Sequence, residues 1–170
     1  VAGDFIRWCG DNYMFCTWGP MDLTELQRNM HYYGMSLFPF PVYFYDLQKI
    51  FSLIYDDGKI RRSLSYAVDY LKITNDLPFH RAIEDAKYTS RVLKLMDLSV
   101  VKSYFSIDNY QIPSSKKEEI FVKYETYSKF VSRGFENRTE ILEDKRVITT
   151  PCLFCDKKLK KKIRWFSAGA

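Results

Sequence analysis

The sequence predicts an α/β fold in which a mixed sheet is flanked by helices. Short apolar runs bounded by turn residues, at Tyr13–Thr17 and Val42–Tyr45, are typical of buried strands. Longer segments between them carry apolar residues at helical spacing. The 46% hydrophobic content, with 13 Tyr and 13 Phe, is ample for a packed core. Strands that alternate with helices favour the α/β class.

The first elements follow from capping and turn residues. A helix is predicted to end near Cys9, because Gly10 is a favoured residue just past a helix end. After the first strand, Gly19 and Pro20 turn the chain into a second helix that starts near Asp22. The spacing of its apolar residues predicts that this helix reaches Gly34.

Three more helices complete the first predicted domain, which spans residues 1–97. Asp46 is expected to cap the helix that follows the second strand, and Ser63 to cap the next one. A long helix is predicted from Arg81 to Met96.

The character of the chain changes after residue 97. Residues 108–117 read as a loop, and apolar spacing predicts one more helix over residues 118–131. Residues 98–145 are therefore predicted to form a helical and linker segment. A strand at Arg146–Thr149 is expected to open a third segment, residues 146–170, which contains a cysteine pair.

Charge and composition limit the location and partners of the protein. The net charge is +5, and no apolar run is long enough to span a bilayer. With no signal peptide at its start, the chain is expected in the cytoplasm. Because the first residue is not Met and no closing element follows the last apolar run, both ends are expected to be cuts in a longer protein.

His80 and Asp85 are the first candidates for catalysis. Five positions span about 140° around a helix, so the two side chains converge only if His80 lies on the loop before it. A carboxylate that holds a metal and a neutral imidazole that takes a proton from water are what a metal-dependent hydrolase needs. Alternatively, His80 is a surface residue and Asp85 is unrelated to it.

Asp22 is the second candidate, because it follows a buried strand at the sheet edge where α/β sites form. Asp22 and Glu25 also match a capping-box pattern. Spacing alone therefore favours a helix cap at Asp22.

Taken together and in this order, these segments resemble the DEDDh (DnaQ-like) 3′→5′ exonucleases, which have a ribonuclease H-like fold. Asp22 matches the second motif of the family, and His80 with Asp85 matches the third. Phe44–Leu47 and Ser63–Ala67 resemble the segments between these motifs. The resemblance covers roughly residues 4–97.

The resemblance implies a reaction and its cofactors. Two Mg²⁺ or Mn²⁺ ions would be bound by Asp22, Asp85 and further carboxylates, and His80 would be the general base. Single-stranded RNA or DNA would lose nucleoside 5′-monophosphates from its 3′ end. The first motif of the family, D-x-E, does not occur in the sequence. We therefore expect the missing strand to lie upstream and this fragment to be nearly inactive.

The cysteine pair lies in Pro151-Cys152-Leu153-Phe154-Cys155, which resembles the first turn of a zinc ribbon. It would supply half of a Zn²⁺ site, and incidental cysteines in a turn are the alternative. Six of the eight positions from 157 to 164 are basic. In a complete zinc ribbon, these basic residues would bind nucleic acid together with Trp165 and Phe166. The alternative is that the basic residues form a solvated surface.

Two alternatives to an exonuclease stay open at this point. In the first alternative, the chain has the exonuclease fold but no catalytic activity, and it regulates or binds nucleic acid. A degenerate motif in place of D-x-E in the upstream sequence would favour this alternative. Otherwise it binds nucleic acid through its basic tail, and His80 and Asp85 are incidental. In that case divalent metals and chelators would make no difference.

Overall fold

The structure is a computed structural model that describes residues 1–161 and contains both helices and small sheets, as the α/β class predicts. The chain divides into two compact units. The first is Val1–Gln111, and the second begins at Ile112. The first unit extends beyond residue 97, because its last strand, at Ser106–Ile107, pairs with the strand at Tyr43–Asp46.

A mixed sheet of three strands forms the centre of the first unit. Strand β1 is Phe15–Thr17, β2 is Tyr43–Asp46 and β3 is Ser106–Ile107, in the order β1-β2-β3. Strands β1 and β2 run parallel with Cys16 opposite Tyr45, whereas β2 and β3 are antiparallel. Because β1 and β2 are parallel, their carboxyl ends lie at the same edge of the sheet, and a helix follows each of them.

Six helices surround this sheet: α1 (Ala2–Cys9), α2 (Met21–Tyr32), α3 (Leu47–Tyr55), α4 (Leu64–Tyr70), α5 (Ala82–Leu95) and α6 (Leu98–Ser103). Two predicted caps are confirmed by their hydrogen bonds. Asp46 accepts the backbone N–H of Lys49 at 3.0 Å, and Ser63 accepts that of Tyr66 at 3.1 Å. The caps satisfy N–H groups that have no partner within the helix.

The core of the first unit lies where the helices cover the sheet. Leu23, Val42 and Phe44 form one buried cluster, against which Phe15 and Phe38 pack. Fully buried side chains of α3, α4 and α5 extend the core of the first unit. These are Leu47, Ile50, Phe51, Ala67, Val68, Tyr88 and Val92. Helices α4 and α5 therefore cannot shift without disturbing the core.

The described part of the second unit, residues 112–161, contains two hairpins and two short helices: β4 (Ile120–Lys123), β5 (Ser128–Val131), α7 (Arg138–Glu143), α8 (Lys145–Ile148), β6 (Thr149–Pro151) and β7 (Lys158–Lys160). Strands β4 and β5 are antiparallel, as are β6 and β7.

Two secondary-structure predictions for this region are wrong. The helix expected over residues 118–131 is the β4–β5 hairpin, where exposure alternates along β4 and Tyr124 N–H donates to the Tyr127 carbonyl at 2.8 Å. The apolar residues there fit a period of two as well as a helical stripe. The strand expected at Arg146–Thr149 begins only at Thr149, because Asp144 caps α8 by accepting the Arg146 N–H.

Within residues 1–161, none of the helices has the length and apolar character needed to cross a membrane.

Candidate active site

A cleft of about 1150 Å³ opens in the first unit and brings the three predicted catalytic residues together. Its walls come from the end of β1, the starts of α2, α4 and α5, and the loop before α5. Asp22, His80 and Asp85 all line it, although up to 63 positions separate them in the sequence.

Asp22 reaches the cleft because α2 begins earlier than its capping pattern predicts. Gly19 has a φ of 104°, which favours glycine, and Pro20 occupies the N-cap position of α2. No side chain caps this helix, so the cap role expected of Asp22 is wrong. Asp22 lies in the first turn instead, and its carboxylate lines the cleft.

The pKa of Asp22 depends on its place in the cleft. Burial against the cleft walls raises the pKa of Asp22, and the negative charge of Asp85 raises it further. Asp22 is still open to water on one side, so it can exchange protons or ions with solvent. Two like charges across a cleft favour the arrival of a cation between them.

His80 lies on the loop before α5, as convergence with Asp85 requires. Its backbone N–H donates to Asp85 Oδ1 at 3.2 Å, and its side chain is exposed at the cleft. His80 has a φ of 68°, in the left-handed region that costs a non-glycine residue free energy. The loop therefore holds a strained backbone at the residue predicted to be the base.

Helix α5 anchors this loop at several points along one face. The Tyr88 hydroxyl accepts the Leu77 N–H at 2.8 Å, and it lies 2.9 Å from both Asn75 Oδ1 and the Leu77 carbonyl. Arg91 pairs with Asp76 and donates to the Thr74 carbonyl. These bonds, with that from His80 to Asp85, fix the loop on both sides of Pro78.

Aromatic side chains form the apolar walls of the cleft. Phe79 stacks on Tyr88 with ring centroids 4.6 Å apart, which positions the residue just before His80. Trp18 packs against Phe51 and donates its ring N–H to the Arg62 carbonyl at 3.2 Å. Both Phe79 and Trp18 line the cleft. Such surfaces suit a substrate that has flat apolar parts as well as charge.

Cys16 is a cleft residue that no sequence pattern singles out as functional. Burial, and then the charge of Asp46, raise the pKa of its thiol to about 12. The thiol therefore stays protonated at neutral pH and is a poor nucleophile or metal ligand. Ser63 and Ser65 also line the cleft, although the sequence indicates only that they start α4.

The predicted metal-binding cysteines lie in the turn between β6 and β7 of the second unit. Both are free thiols. Backbone N–H groups of Phe154 and Cys155, and then the Cys155 thiol, bond to the Cys152 sulfur and lower the pKa of Cys152. Asp156 closes the turn with a φ of 55°. A thiol that accepts backbone N–H bonds is readied to become a thiolate, the form that binds metals.

The predicted basic and aromatic grip is described only in part. Lys157, Lys158, Lys160 and Lys161 are described, and the first three are exposed. Lys162, Arg164, Trp165 and Phe166 lie outside the described residues. Within residues 1–161, no group of three or more His, Cys, Asp or Glu side chains forms a ready metal site.

Replacing Asp22 by asparagine is expected to stabilise the protein at neutral pH. Because the pKa of Asp22 is raised above its ordinary value of 3.8, the folded state favours its protonated form, and stability falls as pH rises through that window. Asp22→Asn should therefore raise the free energy of unfolding at pH 7 by about 0.3 kcal/mol, a small gain because solvent screens exposed charges.

Urea unfolding at several pH values, in the absence of divalent ions, measures this difference. The gain should vanish as pH falls below 3.8, where the carboxyl is protonated in the folded and the unfolded chain alike. Asp69→Asn, at an exposed position of α4, is the matched control and should show no such trend. An Asp22→Asn variant less stable than its parent at pH 7 would contradict the repulsion.

Comparisons with protein-family models, with curated proteins and with solved structures find no match to this chain. The resemblance to the DEDDh exonucleases accordingly rests on three residues and on the elements between them. Asp22, His80 and Asp85 carry it, in that order along the chain.

Proposed function

We propose that the first unit carries part of the active site of a metal-dependent 3′→5′ exonuclease of the DEDDh type, with a ribonuclease H-like fold. One observation carries the proposal. Two carboxylates from separate segments, Asp22 and Asp85, line one cleft, where burial and then the charge of Asp85 raise the pKa of Asp22. His80 lines the same cleft, and its backbone N–H donates to Asp85. Incidental acids would have no reason to share a concave site, where perturbed pKa values are a sign of function.

The carboxylates suit the metals of this reaction. Asp22 and Asp85 offer hard oxygen ligands, which Mg²⁺ and Mn²⁺ prefer, and their mutual repulsion would be relieved by a cation. When bound, such ions supply charge neutralisation and water activation. Asp22 and Asp85 are two of the four acidic ligands in this type of site. The other two would belong to a D-x-E strand upstream of β1.

His80 would take the proton from the attacking water. Its imidazole is exposed at the cleft, while its backbone N–H is tied to Asp85, so the base is held beside a metal ligand. A general base must lie within hydrogen-bonding reach of the proton it removes, and the anchored loop limits its range. Proton transfer is then assigned to His80, and metal binding to Asp22 and Asp85.

The cleft also fits the proposed substrate. About 1150 Å³ is more than the roughly 300–1,000 Å³ of a site for one small molecule, so the end of a longer chain can enter. Trp18 and Phe79 offer surfaces for bases. The products would be nucleoside 5′-monophosphates from a single-stranded 3′ end. Because all four cysteines are free thiols, we assign the activity to the reducing cytoplasm.

The main alternative is a module with this fold that binds nucleic acid or regulates without catalysis. It would use the same cleft, and a degenerate motif in place of D-x-E in the upstream sequence would favour it. The coupling of Asp22 to Asp85 favours the enzyme, because a binding cleft for a polyanion would gain nothing from two carboxylates.

Both cleft carboxylates are expected to be essential for hydrolysis. A chain extended through a D-x-E strand should digest single-stranded 3′ ends with Mg²⁺ or Mn²⁺, and the 170-residue chain should be nearly inactive. Asp22→Asn and Asp85→Asn should each abolish activity in the extended chain while oligonucleotide binding stays measurable. Each change removes a charge that the metals need and keeps nearly the same shape.

Release of 5′-monophosphates from labelled RNA and DNA oligonucleotides measures this activity. Asp69→Asn, which makes the same change outside the cleft, should retain the full rate. If the extended chain, well folded and supplied with metal, leaves oligonucleotides of varied sequence intact, the enzyme proposal is wrong. Activity that survives chelation would also contradict it.

Replacing His80 by glycine is expected to separate stability from activity. The change removes strain at a φ of 68° and should stabilise the fold by up to about 1 kcal/mol. It also removes the base, so the rate should fall by about 10²–10⁴-fold while Mn²⁺ binding persists.

Lys72→Gly is the matched control for His80→Gly. Lys72 lies on the same loop with a φ of 54° and does not line the cleft, so the variant should gain stability and keep full activity. A His80→Gly enzyme that keeps the full rate would make His80 an ordinary loop residue.

We further propose that Cys152 and Cys155 supply two of the four ligands of a structural Zn²⁺ site. The turn that holds them, with N–H groups directed at the Cys152 sulfur, supports this assignment. The other ligands would come from a second cysteine or histidine pair in a longer chain. If the turn is instead incidental, the chain binds no zinc.

A chain that supplies this second pair should bind one Zn²⁺ per protein, as measured by elemental analysis under reducing conditions. Cys152→Ser and Cys155→Ser should each abolish this stoichiometry, because each change removes a sulfur ligand. Cys16→Ser should retain it, because Cys16 belongs to the first unit. A zinc-free protein with reduced cysteines would rule out the site.

A further inference from the structure

The second unit contains a groove of about 410 Å³ that the cleft chemistry does not use. It lies between the β4–β5 hairpin, α8 and the β6–β7 hairpin. The described residues that line it include four cationic side chains and two phenylalanines: Lys145, Arg146, Lys158, Lys161, Phe121 and Phe130. We call it the basic groove.

Among the described residues that line it, the basic groove has a net positive charge, because Glu119 is the one carboxylate there and two arginines neutralise it. The Glu119 side chain is completely buried, and it forms ion pairs with Arg133 at 2.8 Å and with Arg146. Lys145 and Lys158 are exposed at the groove. Phosphate groups are therefore attracted to it from solvent.

The cations and aromatic rings of the basic groove are interleaved. Phe121 and Phe130 are directly opposite each other across β4 and β5, which places both rings on one face of the hairpin. The Lys161 ammonium lies 4.4 Å from the centre of the Phe130 ring and donates to the Arg146 carbonyl at 3.1 Å. Phe121 is 48% exposed to solvent.

From this arrangement we infer that the basic groove binds single-stranded nucleic acid, with lysines on the phosphates and a base stacked on Phe121. Cations beside an exposed ring match a polymer in which phosphates and flat bases alternate. In a duplex the base faces are covered by stacking, so the ring would gain little. An acidic protein segment would satisfy the lysines and leave Phe121 without a partner. The inference does not depend on the exonuclease proposal.

The salt dependence of binding tests the role of the lysines. Binding of the full chain to a labelled single-stranded oligonucleotide is measured by fluorescence anisotropy. EDTA is present to prevent metal-dependent hydrolysis of the oligonucleotide in the cleft. For a double Lys145→Ala/Lys158→Ala variant, the slope of log affinity against log salt should become shallower by about 1.4, at about 0.7 for each phosphate that the variant no longer neutralises. A Lys94→Ala/Lys102→Ala variant makes the same charge change in the first unit and should bind like the parent.

The aromatic contact is tested by Phe121→Ala, which should weaken single-strand binding on the order of tenfold and leave the salt slope unchanged. Phe154→Ala removes an exposed ring outside the groove and should have no effect. Circular dichroism checks that each variant is folded. The inference is overturned if the lysine pair and Phe121 leave affinity unchanged. It is equally overturned if Phe121→Ala has no effect while a polyglutamate peptide competes as well as the oligonucleotide.

Discussion

The contact between Tyr88 and the loop before α5 is the constraint on which the candidate site depends. Tyr88 is fully buried, so its ring is fixed by the core, and its hydroxyl and face are the points to which the loop attaches. Phe79 stacks on the ring, and Leu77 bonds to the hydroxyl. His80 follows at once, so a core residue determines where the proposed base can lie. A mobile base would lose the positioning that catalysis requires.

The first unit could be predicted from its sequence to a large extent, because its signals are local. Asp46 and Ser63 cap helices as expected, since a short polar side chain before an apolar stripe has few other uses. The placement of Asp22 was not predictable by the same rule. A capping pattern indicates only which residues are able to cap a helix. The Gly19-Pro20 turn makes α2 start at Met21, one residue before Asp22. A shift of the helix start by a residue or two separates a cap from a carboxylate in the cleft.

The second unit was less predictable, because its residues satisfy two periods at once. Ile120, Tyr124, Tyr127 and Val131 fit a helical stripe, yet they lie on a hairpin whose turn bonds Tyr124 to Tyr127. Pairing with a second strand decides between a helix and a hairpin here, and strand pairing is a non-local contact. The basic groove was missed for the same reason. Its phenylalanines and lysines come from segments up to 40 residues apart, from 121 to 161, and no spacing along the chain brings them together.

A positive φ at a non-glycine residue occurs both at the proposed active site and at the proposed zinc site. Three non-glycine residues among the described ones have a positive φ, and Lys72 is explained by its place just after α4, a common left-handed position. His80 and Asp156 do not follow a helix, and each donates its backbone N–H to a site residue: to the Asp85 carboxylate in one case and to the Cys152 carbonyl in the other. Strain of this kind persists only where surrounding contacts over-determine it. In the first unit those contacts are the Tyr88 anchor and the Asp85 bond, which hold the backbone of the proposed base, His80, beside a carboxylate of the cleft.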